Sequence, residues 1–221
     1  MKELMPTILY SDDRIIAAVK PAGILSTDEP GGMPACLRAL LGRDIFVRSV
    51  HRLDRAVGGV MIYAVTRRAA SELSDQIRTG AFHKEYLAVV RGTPEKKSAV
   101  LRDRLQRDRQ ARVTRIVPEG TPESQEAVLE YTAADQKGDL SLLRIRLFTG
   151  RTHQIRCQLA GHGFPLLGDR KYGGEDTGAN IALWSHKIEC IHPRTGEALC
   201  FIQDPPDLYP WNLFFSRSAG E

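Results

Sequence analysis

Long apolar runs are missing from this sequence. The longest uncharged, largely apolar stretch, residues 56–65, covers ten residues, about half of the ~20 that a helix needs to cross a bilayer. Cysteine is scarce as well: Cys36, Cys157, Cys190 and Cys200 form no C-x-x-C pair, which excludes a zinc ribbon and a disulfide framework and leaves four reduced, structural thiols. Charge of one sign is also lacking, since 31 basic residues face 27 acids for a net +4. Met1, Lys2 and Glu3 carry both signs and no apolar block follows them, so neither a secretory signal nor a transit peptide is indicated and a cytoplasmic protein is expected. Phosphate-loop, serine-triad and metalloprotease motifs do not occur, nor do internal repeats. What is present is ordinary globular material, 42% hydrophobic and 26% charged over 221 residues. That suits one large domain and excludes a disordered or coiled-coil chain.

Helix and strand signals alternate early. Residues 14–20 (RIIAAVK) read as a β-branched strand closed by Pro21-Ala22-Gly23,. Pro34 and Gly42 bracket a short helix over 35–41, followed by an extended stretch through Ser49, Val50 and His51,. Residues 59–65 (GVMIYAV) are continuously apolar, as a strand buried on both faces would be,. Thr66 caps a helix over 67–79, whose Ala69, Ala70, Leu73 and Ile77 share one face, and Gly80 ends it,. Strands then follow at 85–91, 112–117, 127–132 and 140–149,. In the segment 150–163, Thr152 is the expected cap of a short helix that ends at Gly161,. Strands at 181–191 and 198–203, joined through the turn 192–196, close the chain,. The expected fold is therefore a single α+β domain on a mixed, largely antiparallel sheet flanked by helices.

Charge is segregated along the chain. Residues 96–115 hold eight basic side chains, among them Arg104, Arg107, Arg109 and Arg112, against two acids, whereas residues 119–139 hold six acids against Lys137. Such a basic stripe suits a phosphate backbone, where affinity comes from counterion release. The same pattern also suits two strands of a hairpin facing each other through screened surface ion pairs.

Two polar clusters stand where the chain enters apolar elements. His51-Arg52-Leu53-Asp54-Arg55 precedes the apolar strand, and Gly150-Arg151-Thr152-His153-Gln154-Ile155-Arg156 opens the short helix. A carboxylate entering a core costs several kcal/mol unless it is paired, so Asp54 calls for a cation, as a structural salt bridge or as chemistry. Arginines in a first helical turn oppose the macrodipole, which points to an anion or to plain solvation. The turn 168–174 (GDRKYGG) suits either a phosphate cradle or a surface turn,. The six histidines permit a metal reading, but none are paired at i, i+4 and no carboxylate-rich motif accompanies them,.

HRLDR, KEYLAVVRG, TGRTHQIR and FPLLGDRKYGG occur here in one order, and in this the chain resembles the RluA-like family of pseudouridine synthases over roughly residues 10–205. The resemblance implies a pseudouridine synthase fold over 1–221, with no N-terminal S4-like RNA-binding module, and an enzyme that isomerises uridines of ribosomal or transfer RNA. It implies that Asp54 acts on a flipped-out uridine, that Tyr86 packs against the base, and that Arg156 pairs with the aspartate. Arg52 would enter the space the base vacates. Arg55, Lys84, Arg151, His153 and the stripe arginines are the further expected RNA contacts. The isomerisation breaks N1–C1′ and joins C5 to C1′, so no cofactor and no metal are expected, and RNA is the expected partner of a monomer that binds no membrane. The carboxylate would add to the ring or sugar, or take the 2′ proton. Where the family continues T-S-G-L, this chain has Val57-Gly58-Gly59-Val60. The rival readings are a catalytically inactive RNA-binding protein of the same fold and a metal-dependent hydrolase.

Overall fold

A computed structural model describes residues 5–42, 44–174, 178 and 180–215. The charged start at Met1–Glu3 and positions 175–177 of the Gly-rich loop lie outside them. Among the described residues there are three α-helices and eleven strands, making a mixed, largely antiparallel α+β fold. In chain order these are β1 (Thr7–Ser11), β2 (Ile15–Lys20), α1 (Met33–Leu41), β3 (Arg48–Ser49), β4 (Gly58–Ala64), α2 (Arg67–Thr79), β5 (His83–Arg91) and β6 (Ser98–Asp108). They continue with β7 (Val113–Val117), β8 (Gln125–Lys137), β9 (Leu140–Leu147), α3 (Gln154–Gly161), β10 (Leu183–Ile191) and β11 (Ala198–Ile202). No helix of the described residues is long and apolar enough to cross a membrane.

The chain divides into two compact units. The first comprises the residues up to Glu85 with Trp184–Pro205, and the second Tyr86–Leu183 with the residues from Pro206 on. In the first unit β4 is central: it pairs antiparallel with β2 over residues 59–64 and with β3 at its far end. It runs parallel to β10 through Gly58 and Gly59. Every residue of β4 is buried, as its unbroken apolar sequence requires,. One face of this sheet meets α2, where Ala69, Ala70 and Leu73 pack on Ile15, Ala17, Val60 and Ile62. Thr66 caps α2 by accepting from the Ala69 amide, and Gly80 closes it in the left-handed conformation,.

In the second unit β9, β8, β6 and β7 form an antiparallel meander-like run. α3 rests on it, with Cys157 against Leu105 and Ala127 and with Tyr172 at the edge of that cluster. Strand β6, an eleven-residue element, was hidden in the sequence by its charge: Arg102 and Arg104 alternate with inward Leu101 and Leu105. The expected cap of α3 is corrected. His153, not Thr152, stands at the N-cap, with φ +54 and no side-chain cap bond. The reason is that Gln154 closes the loop instead, its Oε1 accepting from the Arg151 amide at 2.9 Å and from Thr149 Oγ1 at 2.8 Å. Thr152 contributes only its carbonyl, to Thr114 Oγ1.

The paired glycines of β4 are set by β10. A Cβ on Gly58 would lie 2.4 Å from the Trp184 ring, and one on Gly59 would lie 2.2 Å from the Ser185 carbonyl oxygen, with Gly59 at φ +122. The departure at Val57-Gly58 is thus matched to the indole that lies over it, whose Nε1 donates to Gln203 O at 2.8 Å. Gly58→Ala is expected to cost about 1–3 kcal/mol through overpacking. Trp184→Leu should also destabilise, but the double variant should be markedly less unstable than the sum of the two. Denaturant unfolding of the four proteins measures this, and strict additivity would contradict the matched packing.

Candidate active site

The backbone that carries Asp54 is held on both sides. Before it, the Leu53 amide donates to Ser26 Oγ at 3.0 Å and Ser26 Oγ donates to Leu53 O at 2.7 Å. After it, Arg55 O accepts from the Gly23 amide at 2.7 Å, Arg55 Nε donates to Gly23 O at 2.8 Å, and the Val57 amide donates to Asp54 O at 3.0 Å. The turn therefore hangs on the loop that follows β2. Asp54 itself is half-buried.

Lys20, the last residue of β2, stitches the same loop from below. Its side chain is fully buried, and its ammonium donates to Ile24 O at 2.6 Å, Pro21 O at 3.0 Å and Arg55 O at 3.2 Å. Burial pulls its pKa down to about 8, and the Asp54 charge nearby partly opposes that,. Sequence reasoning missed this residue because it read as a strand end. The available signal was a lysine closing a strand of β-branched and small residues directly before Pro-Ala-Gly.

His51 lies beneath the turn. Its Nε2 accepts from the Ile62 amide at 3.1 Å and its ring tilts against Phe82 at 5.4 Å. Burial, aided by the Lys84 charge, holds its pKa down to about 3. This is a packed, neutral imidazole. Among the described residues no group of three His, Cys, Asp or Glu side chains is gathered for a metal ion. Around the turn, Arg52 and Arg55 are exposed and Lys84 is half-buried, its ammonium pulled below its ordinary pKa by desolvation.

In the second unit Arg156 is buried, and Asp169 grips it with two parallel bonds, Nε to Oδ2 at 2.7 Å and Nη2 to Oδ1 at 2.8 Å. The guanidinium also lies over the Tyr172 ring, 5.1 Å from its centroid,. Asp169 is 1% exposed, so the GDRKYGG segment is not simply a surface turn. Gly174 makes this possible: a Cβ there would lie 2.2 Å from Leu166 O and 2.6 Å from the Asp169 amide. Tyr86 is buried on β5, which the Val89 amide ties to Ala182 O at 3.0 Å. His153 Nδ1 lies 2.8 Å from Tyr172 Oη and 3.4 Å from Arg107 Nη1.

The basic stripe divides in two. Arg102 pairs with Glu126 at 2.7 Å and Arg104 donates to Ser124 O at 2.7 Å, so these two join β6 to the acidic run as a hairpin would. Arg109, Arg112 and Arg115 stand exposed at and beyond the β6–β7 turn, and among the described residues no acid pairs with them. Arg151 is exposed and donates from Nε to Glu126 O at 2.9 Å.

A half-buried aspartate on a clamped turn and a buried, carboxylate-held arginine stand in the motifs that carry the resemblance, and comparison with known proteins agrees. The RNA pseudouridylate synthase family matches residues 14–161. The chain belongs to the RNA pseudouridylate synthase family. It is 35% identical over 202 residues to the uncharacterized RNA pseudouridine synthase YhcT of Bacillus subtilis, covering 87% of this chain and 66% of that protein. It is 33% identical over 222 residues to ribosomal large subunit pseudouridine synthase C of Escherichia coli K12, covering 92% and 67%. The chain thus spans about two thirds of the length of these relatives. The solved structure of human RNA pseudouridylate synthase domain containing 1 has the same fold, with a TM-score of 0.79 at 21% identity over 94% of this chain and 86% of that one.

Two predictions test this part of the structure. His51 is neutral when folded but takes up a proton below 6.5 when unfolded, so the unfolded state gains protons first and stability falls as pH drops from 6.5 towards 3,. The full span is worth about 4–5 kcal/mol at 1.36 kcal/mol per pH unit, and His51→Gln should flatten that limb in urea unfolding measured across the range. Asp169→Ala takes the bidentate carboxylate away from the buried Arg156 guanidinium, and should cost about 3–5 kcal/mol,. A loss under 1 kcal/mol would mean the guanidinium is held elsewhere.

Proposed function

We propose that this chain isomerises uridine to pseudouridine in structured RNA, with Asp54 as the group that acts on the target nucleotide. The observation that carries the reading is the clamped Asp54 turn within the family's motif: both neighbours of the aspartate are bonded to the loop after β2, while the carboxylate itself stays half-buried. A turn held so tightly keeps its side chain aimed without spending entropy at the moment of reaction. The reaction balances within the substrate. N1–C1′ breaks, the uracil turns, C5 bonds to C1′, the proton on C5 is released and N1 takes one up.

Asp54 starts this either by adding to the ring or sugar, or by removing the 2′ proton. In this reading Arg156 is the cation that serves the carboxylate, Tyr86 supports the flipped base, and Arg52 fills the position the base leaves. Arg55, Lys84, Arg151, His153, Arg104, Arg107, Arg109 and Arg112 contact the RNA backbone and neighbouring nucleotides. Arg109 and Arg112 stand exposed at the hairpin turn, where phosphate can reach them,. Ribosomal RNA of the large subunit is the proposed substrate, because that is what the name of the Escherichia coli relative states.

The test uses large-subunit ribosomal RNA and transfer RNA carrying tritium at uridine C5. Release of label is expected from the wild-type protein, unaffected by EDTA, and Asp54→Asn should lose at least about 10²–10⁴-fold in rate while still binding RNA. Label release that survives in Asp54→Asn would remove the aspartate from the chemistry. Loss of activity in EDTA would turn the reading to a metal-dependent enzyme, and release from transfer RNA alone would change the substrate.

A further inference from the structure

In the second unit the two faces of the sheet formed by β6, β8 and β9 differ. Asp103 and Leu105 of β6 point to the side that carries α3, where Leu105 packs with Cys157 and Asp103 accepts from Gln158 Nε2 at 2.7 Å. Side chains alternate along a strand, so Val100, Arg102 and Arg104 point the opposite way. The register carries that side across the sheet: Val100, Glu130 and Arg146 stand in one row, and Ser98, Thr132 and Arg144 in the next. In the row on the other side Arg102 faces Val128, whose carbonyl accepts from the Phe148 amide at 3.1 Å. This face is open. Phe148 is 53% and Val100 54% exposed, and Arg102, Arg144 and Arg146 are exposed with them.

Phe148 follows Arg144 and Arg146 on the solvent side of β9, at a place where the alternation calls for another polar residue. Single exposed apolar side chains are common, but this ring is not alone. The Arg146 guanidinium lies over it, 5.1 Å from its centroid, although Glu130 is the arginine's neighbour across the strand pair,. Charge on the face is unbalanced as well, with Arg102, Arg104, Arg144 and Arg146 in these rows against Glu126 and Glu130. The edge that holds Phe148 is fixed from behind. Val128 O also accepts from Gln154 Nε2 at 3.2 Å, and the Val128 amide donates to Thr149 Oγ1 at 2.8 Å. Thr149 and Gln154 belong to the TGRTHQIR segment, so the face is bonded to the start of α3, the helix that carries Arg156.

A protein partner wants an interface whose centre is apolar and poor in charge, whereas the centre of this face is Arg102, Glu130 and Arg146. An aromatic ring framed by guanidinium groups suits single-stranded RNA, because bases stack on aromatic rings and arginine planes while phosphates meet the positive charge. We infer that the open face of β6, β8 and β9 is a second docking surface for the substrate RNA, on which an unpaired base stacks against the Phe148–Arg146 pair and the arginines of the neighbouring rows meet the flanking phosphates. This rests on the proposed function above, from which it takes its RNA. It gives a part to Phe148 and Arg146, which the reaction itself does not use.

The probe is a fluorescent oligouridine of about ten nucleotides, within the span of one single-strand site, titrated with the full chain and read by anisotropy. Phe148 is exposed, so its variants should fold and keep the wild-type unfolding transition. Phe148→Ala and Phe148→Leu should weaken binding by roughly fivefold to a hundredfold, the range for losing one stacked base, whereas Phe148→Tyr, which keeps the ring, should stay within about twofold. Arg146→Gln should weaken binding and lower the slope of log Kd against log salt by about 0.7, the share of one phosphate of a single strand. On ribosomal RNA the loss in Phe148→Ala should fall on KM, with kcat within about twofold of wild type. An oligouridine that the wild-type protein does not bind, or that Phe148→Ala binds equally well, overturns the inference. A loss shared equally by Phe148→Tyr overturns it too, since the ring is then not what the RNA meets, and so does a changed sedimentation coefficient with RNA binding intact, which would make the face a protein interface. A wild-type protein that binds oligouridine through Phe148 but makes no pseudouridine on any RNA overturns instead the function proposed above and leaves the docking surface standing.

Discussion

A single carboxylate can direct chemistry only if the backbone beneath it is kept still, and in this protein that stillness depends on the Lys20 ammonium. It sits fully buried and gathers three carbonyls, two from the loop after β2 and one from Arg55, the residue that follows Asp54. An ammonium is costly to bury, and the pKa pulled down to about 8 expresses that cost,. Three carbonyl dipoles aimed at it offset the desolvation and tie the turn to the central sheet at the same time. Ser26 performs the same service on the other side of Asp54, through Leu53. The bonds that fix the turn are made by structural residues, and the aspartate itself stays half-buried.

The second unit solves the complementary problem of holding cations still. Arg156 opens a helix, where the dipole opposes a positive charge, and is buried as well. Asp169 offsets both penalties with a bidentate bond of the kind that fixes a guanidinium in plane,. Asp169 reaches that position because Gly174 lets the backbone pass within contact distance of it. Tyr172 then ties the arginine face to the His153 ring. The GDRKYGG and TGRTHQIR segments thus form one polar network, although in sequence they are separate motifs.

Much of the fold was legible in the linear pattern. The buried strand β4 showed in its unbroken apolar run, and α2 in its cap, its stripe and its closing glycine, because those signals are local,. β1 and β6 were not legible: β1 is a short edge strand, and β6 carries so many arginines that charge obscured its alternation. A threonine at the right spacing is a good local signal for the cap of α3, yet Gln154 closes the loop from within it and Thr114, reaching from β7, binds the Thr152 carbonyl. The replacement of Thr-Ser by Val57-Gly58 had no local explanation either. Its reason is Trp184, an indole more than a hundred residues away in sequence.

By itself the sequence determined the order of most elements, the family to which the chain belongs, and the identity of Asp54, Tyr86 and Arg156 as the residues to watch, since motif spacing and local periodicity are properties of a line. Only the tertiary structure decided which groups hold them: Lys20 and Ser26 around the aspartate, Asp169 on the arginine, Tyr172 on His153. Those contacts join residues distant in sequence, and the cost of burying each polar group, which selects its partner, arises only once the chain has excluded water around it.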